Sequence, residues 1–419
     1  MSTDPISTIV AKNLCTGCGA CAGVFPSAIQ MFEDPVNGRR PVVENSIRGK
    51  RAAEAAVAVC GGATGDWSDL QCQDDIDADW GPVSSVWQGW AADPEVRQSG
   101  SSGGAVTALA LFALETAQAD GVAHIAARPD DPRLNQAVIS RDRAGLMRGT
   151  GSRYAQASPA EAIKEIAAGT DRVVFVGKPC DVASVKRVSQ TQPSLGDQIP
   201  LTISIFCAGA PNLQATDRLL DRLEVPKQAR LVDLRYRGNG WPGRMQATWV
   251  GEDGTEQTSE GISYAEGWGK ILQSERRWRC RMCADHTGAL ADISVGDPWH
   301  TPPADQSEAG QSLIVARTEK GQKLIQDAIR TGVLIATPQS RDVIERAQPN
   351  LKNNHGAVWG RTLAMRAVGL PAPKTKGQRL FELWLGLSTK QKVQSVLGTW
   401  KRILRERLWR KVSISEVAK

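Results

Sequence analysis

Histidine is scarce in this chain: four in 419 residues. A zinc or mononuclear iron site built on imidazoles has few donors to draw on. Long apolar runs are missing as well, and none reaches the roughly 18 residues that a membrane-spanning helix needs. The first ten residues contain Asp4 but no Lys or Arg, so they lack the basic n-region of a secretory leader. The expectation is a cytoplasmic protein, in which structural disulfides are rare. Nor does one sign of charge dominate. A net charge of +6 with 23% charged residues is the composition of an ordinary globular chain and gives no case for a nucleic-acid partner.

Against those absences, nine cysteines stand out: Cys15, Cys18, Cys21, Cys60, Cys72, Cys180, Cys207, Cys280 and Cys283. In a reducing compartment, close cysteine spacing points to metal or redox chemistry. Thirteen Trp against six Phe and three Tyr is the other excess. Trp241, Trp268 and Trp299 sit beside Gly or Pro, where they serve either to pack loops or to stack on a flat ligand.

Cys15-Thr-Gly-Cys18-Gly-Ala-Cys21 has C-x2-C-x2-C spacing. Glycine turns let three such thiolates converge on one [4Fe–4S] cubane. The bacterial ferredoxin run continues with a fourth cysteine before proline, and that cysteine serves the other cluster of a two-cluster protein. Here the position reads Phe25-Pro26. A module with a single cluster is the consequence. Its fourth ligand must come from afar, with Cys60 the first choice and Cys72 the second. A zinc knuckle or buried free thiols are the alternatives.

Downstream, predicted strands and helices alternate. Strands are expected at 83–89, 121–127, 172–177, 201–207 and 313–317, and helices at 106–117, 159–168 and 181–188. This is an α/β pattern. Cys180 and Cys207 each follow a predicted strand, where open α/β sheets place ligands. With the Cys280-x2-Cys283 pair they could complete a second all-cysteine set; a redox dithiol or zinc would use the same residues.

Four glycine-rich segments suggest a cofactor cradle. Gly100-Ser-Ser-Gly-Gly104 opens a helix, whose free N–H groups and dipole suit phosphate, although a flexible linker would look similar. Gly149-Thr-Gly-Ser-Arg-Tyr154 offers Arg153 for bidentate phosphate pairing. Arg237 to Gly243 includes Asn239 and Trp241. Asp292 to His300 places Asp297 and His300 near the cysteine pair, as weak candidates for proton transfer. From Lys374 to Lys411 the chain carries 11 Lys or Arg against two Glu, interleaved with Leu and Trp. Such a basic amphipathic helical tail either packs on the body or docks an acidic electron carrier or an anionic membrane surface.

Taken together, these motifs resemble the beta-subunit family of the deazaflavin coenzyme (F-420) hydrogenases and dehydrogenases. The resemblance spans roughly residues 12–320. It rests on Cys15/Cys18/Cys21, Ser102 to Thr107, Gly151 to Tyr154, Gly177-Lys-Pro-Cys180, Phe206-Cys207, and the block from Cys280 to Asp297. The family includes plant 7-hydroxymethyl chlorophyll a reductase, a cyanobacterial divinyl chlorophyllide reductase and bacterial members near polysaccharide genes. Membership implies FAD, held by Ser101, Ser102, Gly103, Gly104, Thr107, Gly151, Ser152, Arg153 and Tyr154, with Asn239 and Trp241 nearby. It also implies a second [4Fe–4S] cluster on Cys180, Cys207, Cys280 and Cys283. Lys178 departs from the Thr common in the family, and the tail is closer to the polysaccharide-associated group. Use of the deazaflavin coenzyme itself is left open.

The resulting expectation is an α/β (α+β) flavin-binding core, residues 81–345. A ferredoxin-like iron–sulfur module, residues 1–80, precedes it and a helical tail, residues 346–419, follows. The expected activity is oxidoreduction, with ferredoxin or another carrier as donor and a small organic substrate as acceptor. The rival is an electron-transfer subunit serving a partner enzyme. Homo-oligomerisation is left open.

Overall fold

The structure is a computed structural model that describes residues 4–70, 76–305, 307–412 and 414. Eight strands build its central sheet: β1 (Ser85–Ala91), β2 (Gly121–Ala127), β3 (Asn135–Ser140), β4 (Val173–Gly177), β5 (Thr202–Ile205), β6 (Ile293–Gly296), β7 (Ser312–Ala316) and β8 (Leu334–Gln339). Their spatial order is β8-β1-β7-β6-β5-β4-β2-β3. The middle four, β6, β5, β4 and β2, run parallel, while β1, β3, β7 and β8 pair antiparallel at the flanks.

Strands covered on both faces read as continuous apolar runs. Val173-Val-Phe-Val and Ser312-Leu-Ile-Val-Ala are such runs, with all of β7 buried. One face packs on helix α1 (Ala105–Glu115), bringing Leu109, Val122, Val174, Ile203 and Ile314 into one core. The other receives helix α2 (Pro179–Thr191) through Val182, Val185 and Val188. The sequence reading treats residues 292–300 as a loop. Instead Ile293–Gly296 is fully buried, one of the four parallel strands. Its small residues leave no hydrophobic period to read: Gly296 lies so close to the Phe206 ring that a Cβ there would come within 2.2 Å of it.

A second, antiparallel sheet (Arg230–Arg235, Arg244–Val250, Glu256–Thr258) sits beside the central one. The N-terminal 60 residues hold short helices and one antiparallel strand pair, Ile29↔Val43 through Phe32↔Arg40. The C-terminal segment folds back onto this region. Lys374–Lys376 pairs with Thr64–Asp66, and Val412 N–H donates to the Ala11 carbonyl at 3.1 Å. Helix α3 (Thr389–Glu406) buries Ile403 among Trp278, Met282 and Met365. No helix among the described residues is long and apolar enough to cross a membrane.

Candidate functional site

Eight cysteines are free thiols that gather in two groups; Cys72 lies outside the described residues. Cys15, Cys18, Cys21 and Cys60 line one small cavity. Gly17 and Gly19, at φ +70° and +89°, turn the chain so that the three clustered side chains point the same way. Gly17 N–H donates to Cys15 Sγ at 3.3 Å. Backbone N–H groups also reach Cys18, Cys21 and Cys60, from Ala20, from Ala22, and from Gly62 and Ala63.

The second group joins Cys180, at the start of α2, Cys207, just beyond β5, and the Cys280/Cys283 pair. Ala210 N–H donates to Cys280 Sγ at 3.5 Å, and backbone N–H groups of Gly209 and Asp285 serve Cys207 and Cys283. Burial pushes the Cys207 thiol up to about 12, with the Cys280 charge adding to it. Burial likewise lifts Cys18 and Cys283 to about 11 each.

Buried thiols that oppose one another's ionisation, yet are aimed at by N–H donors, suit a positively charged metal group, which takes them as thiolates. Among the described residues no three His, Cys, Asp or Glu side chains close around a point as ligands of a single ion do. A cubane is less demanding in this respect, because each thiolate binds a different iron and the four sulfurs stay further apart.

Ser184 stands between the groups, fully buried on α2. Its Oγ lies 3.3 Å from Cys18 Sγ, accepts from Gly61 N–H at 3.1 Å and donates to the Cys180 carbonyl at 3.1 Å.

Beyond the second group opens a cleft of about 260 Å³ at the carboxyl ends of the parallel strands, and Cys207 is part of its wall. Ser101, Ser102, Gly104 and Thr107 line it on one side and Gly151, Ser152, Arg153 and Tyr154 on the other. Gly104, at φ +72°, is the N-cap of α1 and carries no capping side chain, so the first N–H groups of the helix are left for a ligand. Ser152 Oγ–H donates to Ser101 Oγ at 2.7 Å, tying the two loops together.

At the far end, Arg237 makes two 2.8 Å bonds to Asp297, and Trp241 Nε1–H adds a third at 2.8 Å. Tyr264 and Trp299 stack at 5.2 Å with the Arg237 guanidinium over both rings, and Tyr154 meets Trp268 at 4.9 Å. Burial alone would lower the Arg237 pKa, but Asp297 outweighs it and holds the cation above its ordinary value.

Two family models match this chain, both of the coenzyme F420 hydrogenase/dehydrogenase beta subunit: the N-terminal one over residues 86–164 and the C-terminal one over residues 170–342. The chain belongs to this family. It is 23% identical over 270 residues to the beta subunit of the coenzyme F420 hydrogenase of Methanosarcina barkeri, covering 62% of this chain and 82% of that protein. It is 22% identical over 378 residues to a subunit of the F(420)H(2) dehydrogenase of Methanosarcina mazei, covering 87% and 92%. A chain of the F420-reducing [NiFe] hydrogenase complex from Methanosarcina barkeri shares the fold, with a TM-score of 0.53 at 20% identity over 71% of this chain and 97% of that one.

The family match takes in both cleft loops and the second cysteine group; the first group and residues 343–419 lie outside it. Some residues named from sequence sit apart from the cleft wall. Gly103 packs behind it, donating to Ser312 Oγ at 2.9 Å. Asn239 and His300 do not line it, and Trp241 is buried against Asp297. Arg153 lines the cleft, and Asn135, Leu234 and Pro132 accept three of its five guanidinium N–H groups, which fixes it in its loop. Asp297 is held in an ion pair with Arg237.

Sequence reasoning missed Arg237 and Tyr264 as wall residues, and Lys178, which bonds Asp181 at 2.5 Å at the cleft edge. The one available signal was Arg237 opening a glycine turn. Tyr264 comes from a short helical stretch that no motif marks, whereas Trp268, singled out by its glycine neighbours, does line the cleft.

Proposed function

We propose that this chain is an iron–sulfur flavoprotein that moves electrons between a one-electron carrier such as ferredoxin and a small organic substrate. When bound, two [4Fe–4S] groups would handle single electrons and FAD would pair them for a two-electron reaction. Cys15, Cys18, Cys21 and Cys60 would hold the first group, and Cys180, Cys207, Cys280 and Cys283 the second. The α1 N-terminus, with Ser101 and Ser152, would bind the FAD phosphates. Tyr154, Tyr264, Trp268 and Trp299 supply flat surfaces for the ring system or substrate, and their bulk excludes water from that end. Arg237, locked by Asp297, places a fixed positive charge where reduction builds negative charge.

The observation that carries this reading is linear order: first cysteine group, Ser184, second cysteine group, then the cleft through Cys207. A zinc-binding or purely structural protein needs no such succession. Anaerobic purification with iron, sulfide and flavin analysis tests it. About eight irons and one FAD per chain are expected from two cubanes. Cys207→Ser should remove about half the iron, and zinc without flavin would refute the reading.

The relatives' names favour a second reading, because they describe subunits of larger enzymes. In that case the chain has no substrate of its own and turns over only when a partner protein is added.

A further inference from the structure

We infer that the arginine-lined cleft between the N-terminal region, residues 273–281 and the end of α3 is the docking surface for an acidic electron-carrier protein. The inference rests on the electron-transfer reading above and adds the point of entry. The cleft measures about 990 Å³ and is lined by nine Lys or Arg against two Glu. Neither Glu is spare: Glu275 pairs with Arg218 at 2.8 Å and Glu406 with Arg405 at 2.7 Å. Asp34 faces Arg40 and stabilises its charge, and its Oδ1 also accepts from the N–H groups of Val36 and Asn37.

Two of the arginines lie deep. Arg40 is 4% exposed and Arg277 7%, yet the Nε of each, and of Arg281, is buried without a hydrogen-bond partner. A buried cation is costly without an anion nearby, so the two deepen the positive potential of the cleft. The deep arginines also touch the electron route. Arg277 bonds the Thr16 carbonyl inside the first cysteine loop. Arg281 is the neighbour of Cys280 in the chain, and Arg276 Nη1 donates to the carbonyl of Ala208, the neighbour of Cys207. A donor seated here lies over both cysteine groups, where electron transfer, which decays steeply with distance, is fastest.

The shape selects a protein. Charge lies on three walls of a concavity, so a flat bilayer cannot reach Arg40 or Arg277, while an acidic protrusion can. The rim adds exposed Arg405 and Arg410, and Trp278 is part of the wall. Arg and Trp around a charged centre are the composition of protein interfaces. Each encounter moves one electron: the carrier is oxidised by one, the receiving group is reduced by one, and no bond or proton changes place.

The test uses the full chain, a plant-type acidic [2Fe–2S] ferredoxin as probe, and the Arg405→Glu/Arg410→Glu double variant, whose side chains are both at the surface. Binding is followed by calorimetry between about 0.01 and 0.15 M ionic strength, over which the Debye length falls from roughly 30 to 8 Å. Wild type should bind at low salt and weaken as salt rises; the variant should lose about tenfold or more in affinity and most of the salt dependence. Equal affinity and salt dependence in the two proteins overturns the proposal, as does binding of phosphatidylglycerol vesicles in place of ferredoxin. Reduced methyl viologen, a cation, reports on the reading underneath. If it reduces both proteins alike while ferredoxin reduces only wild type, docking and electron transfer both stand. If it reduces neither, the electron-transfer reading fails, and docking is still judged by the calorimetry.

Discussion

Arg237 and Asp297 show how one residue pair can hold a site in shape. Arg237 is 2% exposed and carries a full charge, tolerable only because Asp297 meets it with both oxygens and Pro242 accepts from its Nε. Breaking a buried pair by removing one partner leaves the other charge uncompensated, at a cost of about 3–5 kcal/mol. Arg237→Ala should lower stability by that amount in chemical unfolding. It should also weaken flavin retention, because Tyr264 and Trp299 lose the cation they stack against. If the variant unfolds at the same denaturant concentration as wild type, the pair is not the brace described here.

At the scale of elements, the cleft-facing end of α1 depends on a single backbone conformation. Gly104 sits at φ +72°, and a Cβ there would lie 2.6 Å from the Val96 carbonyl. A side chain in the left-handed region costs about 1–2 kcal/mol before any clash is counted. Gly104→Ala should therefore cost more than that in stability and sharply reduce FAD per purified chain, while iron content stays at the wild-type level. Such elements are legible in sequence when a pattern enforces them. Cys15, Cys18 and Cys21 announced their turn through spacing, and β4 announced itself as an unbroken run of β-branched and aromatic residues. Strand β6 did not, because Ile-Ser-Val-Gly is only four residues long, and only tertiary burial makes it a strand. Of the aromatic wall, Trp268 and Trp299 were marked by their Gly and Pro neighbours, whereas Tyr264 was silent, since its partners are brought to it by the fold and not by any local period.

At the scale of the whole molecule, the charged tail packs on the body through one face of α3, with Ser395, Thr399 and Ile403 buried and most of its charges exposed. The molecule's histidines make the whole sensitive to acid. Burial lowers the pKa of His124 and His355, and that of His286 to about 3. His286 stays neutral in the folded protein while in the unfolded chain it takes up a proton near pH 6.5, and burial biases His124 and His355 in the same direction. This contribution is thus present above that pH and lost as pH falls through it. Between pH 6.5 and 5.5 the loss from His286 alone should be about 1 kcal/mol in urea unfolding. Glu33 and Glu161, whose pKa burial raises, act in the opposite sense at lower pH. The tail itself is tested by two neighbouring leucine-sized side chains on α3. Ile403 is 5% exposed against Trp278, Met282 and Met365, whereas Leu404 is 69% exposed. Truncating a buried Ile to Ala removes its transfer energy and leaves a cavity, together about 2–5 kcal/mol. An exposed Leu so changed shifts stability by no more than about 0.5 kcal/mol. Ile403→Ala should therefore destabilise the full chain, and because Trp278 lies two residues from Cys280, it should loosen the second cysteine group and lower the iron retained. Leu404→Ala should do neither. Equal, small effects from both would mean that the tail is a solvated appendage, and the docking cleft it helps to wall would lose its rigid side.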